Sequence, residues 1–216
     1  MKATSAHGVI FRWLIWREIL LSWRRRADLF STLAFFIVIV SLFPLSVDPD
    51  ARLLRSIAGG VLWVSALLST MLGFHRMFSQ DFADGSLDQL ILLPQPLFLT
   101  VIGKVAAQFL LLGVPLVLIS PLLGLQYGLT STATLQLAST LLLGVPVLIL
   151  LNAIGAALTL GIHGGGLVAA LIVLPLCIPA LVFGAGGNIS LVGAVFALTL
   201  AFAPPATAAA LRISLE

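Results

Sequence analysis

From Val105 to Leu211 the chain contains no Lys, Arg, Asp or Glu. The only ionisable side chains in that stretch are Tyr127, His163 and Cys177. No water-soluble fold covers its surface with so little charge. Over all 216 residues, 9% are charged and 60% hydrophobic, where an ordinary soluble domain carries about 25% charged residues. The medium around most of this chain must therefore be lipid, and the expected class is an all-α polytopic membrane protein.

A helix needs about 20 apolar residues to cross a bilayer. The pattern predicts six such spans: Leu29 to Val47, Ile57 to Phe74, Leu97 to about Leu125, about Leu135 to Ile162, Leu167 to about Phe183, and Ile189 to about Leu211. The turns between them carry Asp48-Pro49-Asp50, "HGGG" at His163 to Gly166 and "GAGGN" at Gly184 to Asn188. No repeat and no second domain is visible, so residues 1–216 read as one membrane domain. The first long apolar run has no convincing cleavage site after it and is expected to remain as a membrane helix. Cys177, alone in its apolar run, is expected to be an inert hydrophobe.

Six spans put both termini on one side. That side would hold Lys2, Arg12, Arg17, Arg24, Arg25, Arg26, Arg76, Lys104 and Arg212, against Arg52 and Arg55 on the other. The positive-inside rule makes the richer side cytoplasmic. Residues 1–28 read as a helix lying in the cytoplasmic interface, with Trp13, Trp16 and Trp23 at headgroup level. Arg17, Arg24, Arg25 and Arg26 would face anionic headgroups rather than nucleic acid. Lys104, in the first turns of the third span, is expected to snorkel to the same interface.

Residues 75–97 form the longest cytoplasmic loop, and it is patterned. Asp84-Gly85 reads as a turn. Ser86 and Gln89 match a capping box, Asp88 complements the helix dipole, and Pro94 ends the helix. Leu87, Leu90 and Ile91 fall on one face. A helix of two turns is unstable alone in water, so that face needs a surface: either the chain's own membrane domain or a groove on a soluble partner. Asp81, Asp84 and Asp88 are too sparse for a Ca²⁺ loop and read as a solvated acidic face.

No P-loop, H-E-x-x-H, C-x-x-C or G-x-S-x-G motif occurs. The spans also lack the ionisable residues of proton-coupled carriers, so any driving energy must come from elsewhere. His163 reads as a helix-end histidine at the cytoplasmic side rather than a haem ligand.

Six stretches carry a resemblance: "LFPLS" at Leu42 to Ser46, "GGVLWVSALLS" at Gly59 to Ser69, "DGSLDQLILLPQPL" at Asp84 to Leu97, "GVPLVLISPLL" at Gly113 to Leu123, "LIVLPLCIP" at Leu171 to Pro179, and "PATAAALRIS" at Pro205 to Ser214. In order and over nearly the whole chain they resemble the haem exporter protein B family. The resemblance implies an ABC-2-type permease of the bacterial inner membrane, working as two copies of the chain with a cytoplasmic ATPase subunit that binds the ATP. Ser86 to Leu93 would be the coupling helix, with Arg76, Asp81, Asp84 and Gly85 beside it. Haem would be handled by the complex, through a haem-handling membrane subunit, a small membrane subunit and a periplasmic haem chaperone, during c-type cytochrome biogenesis. No cofactor of this chain's own is implied. The rival readings are a permease for a lipid or drug, and a non-transporting scaffold for the haem-handling subunit.

Overall fold

A computed structural model describes residues 16–20, 26–47, 50–74, 76–87, 96–162 and 164–214. These residues form α1 (Arg26–Ser46), α2 (Ala51–Gly73), α3 (Arg76–Ala83), α4 (Leu97–Gln108), a π-helical turn (Phe109–Gly113), α5 (Val114–Gln126), α6 (Ser131–Leu158), α7 (Gly165–Ala185) and α8 (Ile189–Ile213). Residues 16–20 are also helical, and no strand occurs among the described residues. Among the described residues, six stretches are long and apolar enough to cross a membrane, in the six predicted places.

Local chemistry starts the three helices that follow the turns at residues 47–50, 127–130 and 186–188. Asp50 Oδ1 accepts from the Arg52 N–H at 2.8 Å and caps α2. Thr130 Oγ1 accepts from the Ala133 N–H and caps α6. Asn188 Oδ1 accepts from the Leu191 N–H and caps α8. Each cap satisfies a donor that a helix start otherwise leaves open. The Thr130 cap moves the start of the fourth span ahead of the predicted Leu135.

Lipid cannot hydrogen-bond the carbonyls that proline leaves free, so the chain must. Pro44 takes the donor away from the Val40 carbonyl, and the Tyr127 hydroxyl, from the end of α5, donates there instead. Pro121 does the same to Val117, whose carbonyl accepts from Ser120 Oγ at 2.8 Å. The third span is not a uniform α-helix, contrary to expectation. The Val114 N–H reaches back five residues to Phe109, one position ahead of Pro115, which has no N–H to give. Phenylalanine at 127 keeps the ring but leaves the Val40 carbonyl unpaired. Tyr127→Phe is therefore expected to cost about 1–3 kcal/mol, read as a lower unfolding midpoint of the purified protein in detergent.

The core runs along α6, which is buried over most of its length and makes its widest contact with α8, then α7. Trp63 of α2 lies fully buried in a slot whose walls are Gly144 and Gly184. Its indole N–H donates to Thr140 Oγ1 at 3.3 Å. Nearby, a Cβ on Gly59 would sit 2.5 Å from the Ala185 carbonyl oxygen, so α2 and α7 approach backbone to backbone. By contrast α1, α7 and α8 present leucines and phenylalanines outward, among them Leu45, Leu167, Leu171 and Phe202. Against lipid an outward Leu is not a liability, and small residues rather than hydrophobic contrast decide where helices meet.

Candidate functional site: the joint between the second and third spans

α2 holds 23 residues, about 34 Å at 1.5 Å per residue, enough to cross a hydrocarbon core of about 30 Å. α3 follows the apolar run that ends at Phe74, and Asp81 lies seven residues past that run, beyond the predicted second span.

α3 turns Phe78 and Asp81 inward; both are buried. The chain then reverses at Asp84-Gly85. Gly85 has φ +68°, a conformation side chains rarely adopt, and its N–H bonds the Phe82 carbonyl. Helical structure resumes at Ser86 and Leu87. Two predicted roles change here. Ser86 lies inside the new turn rather than ahead of it, and its hydroxyl points back, donating to Asp81 Oδ1 at 2.9 Å. Leu87 is 1% exposed, so it anchors the segment to the chain's own core and offers nothing to a partner. The physical reason is that a segment this short holds its place only by burying its first apolar residue.

The acidic face is corrected at Asp81 alone, since Asp84 is exposed as expected. Asp81 is not solvated: it bonds Lys104 Nζ and lies 3.5 Å from Arg17 Nη2. Lys104 Nζ also bonds Glu18 Oε1 at 2.9 Å, and Arg17 Nη1 lies 3.2 Å from the same oxygen. Two cations and two anions thus close a neutral ring. Lys104 does not snorkel, because its side chain is 5% exposed. A buried ammonium is tolerable only when paired, and Phe78 presents its ring face to Nζ at 5.9 Å. Burial by itself would push the Asp81 carboxyl up. Lys104, Ser86 and Arg17 outweigh it, and the carboxyl lies below its ordinary value.

The ring joins residues 16–20, α3 and α4. On one side it borders a cleft of about 310 Å³ whose lining includes Asp28, Thr32, Gln80 and Gln108. Trp16 and Leu20 are exposed on the far side of their turn, and Asp84 and Gly85 are exposed at the reversal. Arg26 and Arg76 begin α1 and α3, but their side chains are not among those described. Trp13, Trp23, Arg24, Arg25, His75, Asp88, Gln89, Leu90, Ile91 and His163 lie outside the described residues. Glu18 belongs, by sequence, only to the polar arc of the N-terminal interface helix and not to the predicted site residues. The available signal was Lys104: a cation inside an apolar span requires a partner.

A family model described as CcmB protein matches residues 9–214. The chain is 44% identical over 220 residues to "Heme exporter protein B" of Haemophilus influenzae, covering 96% of this chain and 100% of that one. It is 44% identical over 217 residues to the protein of the same name from Pseudomonas aeruginosa, covering 95% and 97%. The match to that of Escherichia coli K12 is 42% over 217 residues, covering 94% and 99%.

Proposed function

The chain belongs to the CcmB protein family, and from that membership we propose that it is the membrane permease subunit of an ABC transporter serving haem delivery in c-type cytochrome biogenesis. The relatives' name, heme exporter protein B, supports the substrate. The observation that carries the mechanical part is the pinned reversal at Asp84-Gly85, after which helical structure resumes at Ser86 and Leu87. The segment from Ser86 toward Leu93 docks on a cytoplasmic ATPase subunit. Hydrolysis there drives the membrane domain, and the stroke releases the haem-loaded periplasmic chaperone. Two copies of the chain work together beside the haem-handling and small membrane subunits, in the bacterial inner membrane with both termini cytoplasmic. The nine basic residues placed on that side against two on the other support the orientation.

Because Leu87 is buried, docking falls to the residues after it. Leu90→Ala removes a side chain worth about 1.5–3 kcal/mol if fully buried at the interface, a roughly tenfold to hundredfold loss of affinity for the ATPase subunit. Leu90→Asp inserts an unpaired carboxylate and is expected to abolish copurification and cytochrome maturation. Membrane levels should stay normal in both. Leu87→Ala should do the reverse, lowering membrane levels through an internal cavity. Full ATPase binding and full c-type cytochrome output in Leu90→Asp would refute the docking role.

A further inference from the structure

We propose that Asp81 is a positioning residue: its carboxylate is the joint through which the docking segment moves the N-terminal interfacial helix and the third span. The proposal deepens the docking role above and rests on it. Asp81 bonds three separate parts of the chain. Ser86, the first residue of the docking segment, donates to its carboxylate. Lys104 ties it to α4, and Arg17 ties it to the helical turn at residues 16–20. Glu18 closes the loop by bonding both cations.

The geometry favours transmission. Ser86 Oγ also lies 3.4 Å from the Asp81 carbonyl oxygen, and Leu87 is locked in the core. A push on the docking segment therefore arrives at Asp81 without slack. On its other side the ring faces a cleft of about 310 Å³ rather than packed hydrocarbon, so the joint has room to shift. The links are charges rather than apolar contacts. Arg17 lies within reach of both anions, so the ring can change length while every charge keeps a partner. An apolar seam would have to open a void to do the same.

The test uses the complex assembled with its ATPase subunit in nanodiscs. The labelled chain is diluted with unlabelled copies, in a Cys177→Ala background. Spin labels at Asp84 and at Leu20, both exposed, are each measured by double electron–electron resonance against a label at Ser190, at the start of α8. Measurements are made with and without Mg-ATP and vanadate. In the otherwise unchanged chain both distances should shift with nucleotide. In Asp81→Asn the Asp84 shift should persist and the Leu20 shift should vanish, and Asp81→Glu should restore it. A merely stabilising role would weaken both signals together. If Asp81→Asn fails to accumulate, Arg17→Met serves, since it leaves the Asp81–Lys104 pair and cuts the direct link from Asp81 to residues 16–20; the Leu20 shift should then shrink. A Leu20 shift of full amplitude in either variant overturns the joint. No Asp84 shift in the unchanged chain means that the docking role itself has failed, and the joint falls with it.

Discussion

Gly184→Val is expected to abolish accumulation of folded protein in the membrane, although the substitution only adds apolar atoms to an apolar helix. A Cβ at Gly184 would lie 2.0 Å from Cζ2 and 2.1 Å from Cε2 of Trp63. The indole cannot retreat, because on its other side a Cβ at Gly144 would lie 1.9 Å from Cη2. Its N–H is also held by Thr140, and Thr140 Oγ1 is within 3.3 Å of the Gly184 carbonyl oxygen. Ordinary overpacking costs about 1–3 kcal/mol because side chains adjust. Here the obstruction is a rigid ring held between two glycines, and the remaining response is to separate α2 from α6 and α7. Gly184→Ala should fall at or above the upper end of that range, and Gly184→Val beyond it. The discriminating control is Trp63→Leu, which costs stability by itself through a cavity but should partly rescue Gly184→Ala. The measurements are the yield of monodisperse protein and the unfolding midpoint in detergent. A wild-type yield and midpoint for Gly184→Val would refute the slot.

Lys104→Met should be the next most damaging change, for an electrostatic reason. Methionine fills a similar volume, so little packing is lost. What remains is Asp81 and Glu18 with one cation, Arg17, between them. Breaking a buried pair by removing one partner costs about 3–5 kcal/mol, because the other charge stays buried and unpaired. Adding Asp81→Asn to Lys104→Met restores neutrality, leaving the Arg17–Glu18 pair, and should recover most of that loss. Arg17→Met should cost far less. Its side chain is 26% exposed, and the two anions keep Lys104. A double-mutant cycle on unfolding midpoints checks the order. Additive effects of Lys104→Met and Asp81→Asn would show that the ring does not act as a unit.

The sequence by itself determined the medium, the number of spans and where they lie. Hydropathy is a property of a segment and its solvent, and adds up residue by residue without reference to any other segment. The Asp84-Gly85 reversal was legible for the same reason, since a positive φ is a local demand that glycine meets locally. The tertiary structure alone decided which residues meet. Lys104 in an apolar span reads as a snorkelling side chain; it is paired instead because Glu18, 86 positions away, and Asp81 are brought to it. Leu87 shares a face with Leu90 and Ile91 in the sequence pattern, and periodicity is right that this face needs a surface but silent on whose. Trp63 and Thr140 are 77 positions apart, and Tyr127 and Val40 are 87 apart. Nothing local links either pair, because in a chain this uniformly apolar one leucine-rich helix face resembles the next. Partners are chosen by close fit at glycines and by the few polar groups that lipid leaves unsatisfied, and both depend on all the spans being in place at once.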